Sequence, residues 1–165
     1  MFTKILVPTD FSSHADTALE YARALATQCG ASFRLLHVMT DPTTTVLMTT
    51  EGFLPDLEQL KGDIVTETMR QLNDRLTDND RRSLGASTEA FFGTEAPSIV
   101  AYAREHGFDL IVMGTHGRTG MAHVLMGSVA EHVVRTAPCA VLTIRHAASP
   151  TEEKSIQGET VAVRA

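Results

Sequence analysis

Lysine is nearly absent from this chain, standing only at Lys4, Lys61 and Lys154. No glycine is followed by lysine, so the P-loop pattern G-x-x-x-x-G-K-[ST] is excluded, and the dinucleotide fingerprint G-x-G-x-x-G is missing too. Cysteine is scarce: Cys29 and Cys139 show no C-x-x-C spacing, which excludes a disulfide framework and points to a reducing compartment. No apolar run reaches membrane-spanning length, and the start M-F-T-K-I-L-V-P has no signal-peptide layout. The net charge of −6, with no basic cluster to offset it, argues against nucleic acid as a partner. These absences give the expectation of a cytoplasmic globular protein with no nucleic-acid or membrane partner. At 165 residues and 43% hydrophobic content it is expected to bury a real core in one domain.

What is present centres on Leu110 to Ser128, L-I-V-M-G-T-H-G-R-T-G-M-A-H-V-L-M-G-S. Leu110 to Met113 reads as a fully buried strand. It runs into Gly114, Gly117 and Gly120, and Gly127 precedes Ser128 and a helical pattern. Glycine lets the backbone take positive φ or approach a ligand closely. The helix starting near Ser128 would point its unpaired amides back at the glycines. Strand, glycine turn and helix start together suit an anion, most often phosphate. Such a phosphate would meet main-chain amides, the hydroxyls of Ser128 and of Thr115 or Thr119, and Arg118. A tight strand-to-helix turn with purely geometric glycines is the plainer alternative.

In chain order, Lys4 to Thr9 reads as strand one, followed at once by Asp10. Ser12 or Ser13 caps a helix whose face carries Ala15, Ala18, Leu19, Ala22, Leu25, Ala26 and Cys29, ending at Gly30. Ser32 to Val38 is strand two. Thr40 to Asp56 reads as a long connection: a lid, a partner surface or simply a mobile loop. Leu57 to Leu76 carries an amphipathic helix, and Asp78 to Gly85 a polar turn. Ser87 to Phe92 is strand three, suited by Thr88 and Glu89 to a sheet edge. Ala96 to His106 is a helix with Pro97 in its first turn. Ser128 to Thr136 is the last helix and Ala140 to Ile144 the fifth strand. Residues 147–165 read as a polar, disordered tail beyond a domain of residues 1–146.

This alternation predicts an α/β fold: a doubly wound, five-stranded parallel sheet in the order 3-2-1-4-5, helices on both faces, Rossmann-like. Its switch point lies between strands one and four, where Asp10 and Gly114 both fall. Asp10 there either meets a ligand or bonds its own loop. His116 either touches phosphate or fills the turn, and Arg118 either clamps a phosphate or points to solvent. The remaining histidines show no metal-ligand spacing.

The pattern G-x2-G-x9-G-[ST], formed by Gly114, Gly117, Gly127 and Ser128, resembles that of the universal stress protein family, in its ATP-binding branch. V-P-T-D-F-S, D-L-I-V-M-G-T-H-G-R-T-G and A-P-C-A-V-L-T-I are similar to family sequence as well, and the likeness runs from Phe2 to Arg145. Ala140 stands where proline is common. The resemblance implies that Gly114, Gly117, Gly127 and Ser128 line a phosphate site, with an added amide from Val129. It implies Pro8, Thr9 and Asp10 beside ribose and phosphates, with Asp10 near ribose hydroxyls or a metal, and the Val38 main chain on the adenine edge. It implies ATP, or AMP, as ligand and a homodimer through Ala140 to Ile144. With so few cationic side chains, the phosphates call for Mg²⁺ or Mn²⁺. No P-loop lysine and no clear base for water are present, so at most slow hydrolysis is expected and no catalytic residue is assigned. Three readings stand: a nucleotide-dependent stress-response protein with an unknown protein partner, a slow ATPase or phosphoryl-transfer enzyme, and a nucleotide-independent dimeric module.

Overall fold

The computed structural model describes residues 1–49, 56–117 and 126–145. Its elements are β1 (Lys4–Pro8), α1 (Ser13–Cys29), β2 (Ser32–Met39), α2 (Thr43–Thr49), α3 (Leu57–Asp74), α4 (Asp78–Ser83), β3 (Ser87–Phe92), α5 (Glu95–Glu105), β4 (Leu110–Gly114), α6 (Ser128–Thr136) and β5 (Ala140–Ile144). The five strands form one parallel sheet in the order β3-β2-β1-β4-β5, as the sequence predicts.

Alternation along each strand divides the core in two. Ile5, Val7, Phe33, Leu35, Leu110 and Val112 face α1 and α3, whose Ala18, Leu19, Ala22 and Leu72 cover them. Leu6, Leu36, Val38, Ile111 and Met113 face α5 and α6, meeting Ile99, Val100, Ala103, Ala130 and Val133. Small alanines let α1 lie close on the central strands β1 and β4. Leu25 and Cys29, expected on that buried face, are only partly covered. Ser12 caps α1 by accepting from the Ala15 amide, and Gly30 closes it at φ 68°.

Two expectations fail. The connection from Thr40 contains α2, started by the Asp41-Pro42 pair: Asp41 accepts from the Thr43 amide at 2.9 Å and from its hydroxyl, and also meets Lys61 at 3.0 Å. These bonds, Thr43's first, hold the Asp41 carboxyl down at about 2. The segment read as a polar turn contains α4, nucleated by a capping box between Thr77 and Asp80. Asp80 is 2% exposed and takes both of its oxygens to the Arg23 Nε at 3.2 and 3.0 Å. A six-residue polar helix has no apolar period to betray it; its cap chemistry and one buried ion pair hold it. Phe53, Arg118, Thr119, Gly120 and everything after Arg145, the expected tail included, lie outside the described residues.

Candidate functional site

Because β1 and β4 are neighbours whose crossovers leave to opposite faces, their carboxyl ends open a cleft. A cavity of about 540 Å³ occupies it. Pro8, Thr9, Asp10, Val38, Gly114, Thr115, His116, Gly117, Gly127, Ser128 and Val129 all line it, so every proposed contact except the undescribed Arg118 and Thr119 comes to one place. Its volume lies in the range of small-molecule and cofactor pockets.

The turn after β1 is tightly built. The Thr9 amide donates to the Leu36 carbonyl at 2.8 Å, and the Thr9 carbonyl meets His37 Nδ1 at 2.7 Å. Phe11 then adopts φ 66°, a left-handed conformation that a bulky side chain rarely takes. Its amide donates to Thr9 Oγ1 at 3.0 Å, its ring lies 4.5 Å from that of His37, and the Arg75 guanidinium sits 4.7 Å from the ring centre. Strain of about 1–3 kcal/mol at such a residue persists only where the surroundings enforce it. Here it throws the chain sharply from β1 into α1 and leaves Asp10 at the cleft. Asp10 Oδ1 accepts from the Ser12 amide at 3.1 Å and its hydroxyl at 2.6 Å. Asp10 thus bonds its own loop and faces the cleft as well, while the cap of α1 falls to Ser12.

Across the cleft, Thr115 closes the glycine segment. Its amide donates to the Ile144 carbonyl at 2.9 Å, and its carbonyl accepts from the Gly127 amide at 2.7 Å. That second bond draws Gly127 and the start of α6 against the end of β4. Its hydroxyl meets His116 Nδ1 at 3.0 Å, and the His116 ring lies 5.8 Å from that of His14. The glycines serve close approach, not positive φ. None of Gly114, Gly117 and Gly127 has positive φ. A Cβ on Gly114 would lie 3.1 Å from the His14 backbone, and one on Gly117 only 2.6 Å from Asp10 Oδ2. Gly127 caps α6 without a side-chain bond, so the first-turn amides of Ser128, Val129 and Ala130 have no intrahelical acceptor.

Sequence reasoning missed Ala15, His37, Thr40, Glu95 and Ile99, which also line the cavity. The strand order held the signal: β2 and β3 end on the same side as β1 and β4, so the turns after them, Thr40 and Glu95 included, belong to the cleft. Among the described lining residues there is neither lysine nor arginine. No group of three His, Cys, Asp or Glu among the described residues is placed to hold a metal ion. No described helix is long and apolar enough to cross a membrane.

Residues 1–145 match the model of the universal stress protein family. Universal stress protein MJ0531 of Methanocaldococcus jannaschii is 31% identical over 145 residues, covering 88% of this chain and 83% of that protein. Universal stress protein MJ0577 of the same organism is 27% identical over 155 residues, 88% of this chain and 96% of its own. Its solved structure superposes with a TM-score of 0.73 at 28% identity, covering 90% of this chain and 99% of that one. UspA from Lactobacillus plantarum gives a TM-score of 0.71 at 30% identity, covering 87% and 98%. A universal stress protein in complex with cAMP and one from Arabidopsis thaliana with AMP bound share the fold at 22% and 19% identity. The matched length, the sheet order and the intact G-x2-G-x9-G-[ST] turn agree, and this chain belongs to the universal stress protein family.

Proposed function

We propose that this protein binds an adenine nucleotide, ATP or AMP, in the cleft between β1 and β4, and that occupancy sets its conformation or partner choice in a stress response. The observation that carries this reading is the cavity itself, which gathers the Asp10 turn, the glycine turn and the start of α6 around one space. The phosphates would lie at Gly114, Gly117 and Gly127, where missing side chains let them approach main-chain amides and the first turn of α6. Ser128 adds a hydroxyl, Val129 an amide, and His116 a ring nitrogen, with Arg118 as a further phosphate contact. Pro8, Thr9 and Asp10 would flank the ribose, and Val38 would meet the base with its main chain. Binding of cAMP and AMP by proteins of the same fold lends support to the ligand class.

A triphosphate brings more negative charge than this lining offsets, and Mg²⁺ or Mn²⁺ would accompany it. Such an ion commonly takes one or two carboxylates and fills its remaining positions with phosphate oxygens and water. Asp10 fits that role, and the bound ion would neutralise phosphate charge. Phosphoryl transfer further needs an oriented nucleophile. Among the described residues Asp10 and His116 stand beside the glycine turn, neither is backed by a P-loop lysine, and we expect slow hydrolysis at most.

Calorimetry with AMP, and with ATP and Mg²⁺, tests the proposal. We expect saturable heat and a raised melting temperature with each. No heat and no shift at millimolar nucleotide would leave a nucleotide-independent module. Steady-state phosphate release on the order of 1 s⁻¹ or faster, a typical enzyme rate, would make the protein an ATPase instead.

A further inference from the structure

We infer that Glu95, held by Thr40, selects the base: it favours a ring with an exocyclic amino group facing it and rejects one with a carbonyl there. This inference rests on the nucleotide reading above and extends it from binding to specificity. The strand order β3-β2-β1-β4 sets the carboxyl-end turns side by side along the cleft. The glycine turn and the start of α6 stand at the β4 end. At the other end lie Leu36 and Val38 from β2 and Ile99 from α5, at 0%, 6% and 4% exposure, an apolar bed suited to a flat ring. The ladder between β1 and β2 stops at the pair Pro8 and Leu36, two residues short of Val38, so among the described residues no strand pairs with Val38 on that side.

The rim of this apolar end carries Thr40, just past β2, and Glu95, at the start of α5. Both are exposed, and the Thr40 hydroxyl donates to Glu95 Oε1 at 3.4 Å. A carboxylate oxygen only accepts hydrogen bonds. With its hydrogen turned toward Glu95, the Thr40 hydroxyl presents lone pairs as well. These two side chains therefore offer the base acceptors alone. An amino group on the base donates to the carboxylate, whereas a carbonyl oxygen sets lone pair against lone pair.

AMP and inosine monophosphate separate these cases, since the second carries a carbonyl where the first carries an amino group. By calorimetry we expect the native protein to bind AMP at least tenfold more tightly, the scale of one charge-assisted hydrogen bond. Glu95→Gln offers an amide that can donate to the carbonyl, and should bring the two affinities within about threefold while leaving the melting temperature unchanged. Binding of neither nucleotide by the native protein would overturn the nucleotide reading, and this one with it. Equal affinity of the native protein for both overturns base selection and leaves nucleotide binding standing. An undiminished preference in Glu95→Gln, or a loss of both affinities in equal measure, overturns the assignment to Glu95.

Discussion

Gly114 and Gly117 look interchangeable in the motif, yet a methyl group would meet different things at each. At Gly114 it would press on the main chain of His14, which cannot move without shifting α1. At Gly117 it would press on the end of the Asp10 side chain, which can swing away. We therefore expect Gly114→Ala to cost about 1–3 kcal/mol through overpacking. In a domain of this size that lowers the melting temperature by about 2–4 °C per kcal/mol, read by scanning fluorimetry. Gly117→Ala should leave the melting temperature nearly unchanged and weaken AMP binding severalfold, because it displaces Asp10 from the cleft. A destabilised Gly117→Ala with native affinity would sink this division of labour. The motif states that both positions are small; only the packed structure says what each one makes room for.

At the scale of elements, α4 depends on one side chain. Asp80 accepts from Arg23 and from the Thr77 amide, and its main-chain carbonyl accepts from the Leu84 and Ala86 amides that lead into β3. Asp80→Ala removes the buried acceptor and the cap of α4 while Arg23 keeps Glu20 and the Arg75 carbonyl, and should lower stability by about 1–3 kcal/mol in urea titration. Arg82→Ala, which removes only the exposed pair with Asp78, should stay within about 0.5 kcal/mol and serves as the control.

The start of β4 is tied to β1 in a similar way. Asp109 accepts from the Thr3 amide and hydroxyl and from the Lys4 amide, at 2.8, 2.7 and 3.1 Å. Burial pushes its carboxyl up, but these donors more than offset that and hold it below its ordinary value of 3.8. A group lowered on folding stabilises fully above its unfolded value and loses that contribution as pH falls through the folded one. The native protein should thus lose stability below about pH 4. Asp109→Asn should be less stable at pH 7 and lose less on acidification, and an identical acid limb in both proteins would rule Asp109 out.

At the scale of the whole molecule, β5 is the last strand of the sheet among the described residues, with one side of its main chain paired to β4. The Ile144 carbonyl points to Thr115, so by alternation Thr143 and Val141 point their main-chain groups outward. A second copy pairing there would give a homodimer, and such an edge invites it. We expect light scattering to report a dimer, and Thr143→Pro, which removes an outward donor, to shift it toward monomer. A monomeric native protein at tens of micromolar would remove β5 from consideration as an interface.

Sequence alone determined the layout of this protein. Continuous apolar runs at Ile5 and Ile111 placed β1 and β4 in the middle, polar Thr88 and Glu89 put β3 at an edge, and the switch point followed from the strand order. The glycine motif located the β4 side of the cleft because close approach restricts residue type locally, one position at a time. Tertiary structure decided what depends on distant partners. The Phe11 conformation needs His37 and Arg75 around it, α4 needs Arg23 from another helix, and Glu95 meets the Thr40 hydroxyl across the ends of two strands. Those contacts join residues far apart in the chain, and no local period or spacing records them.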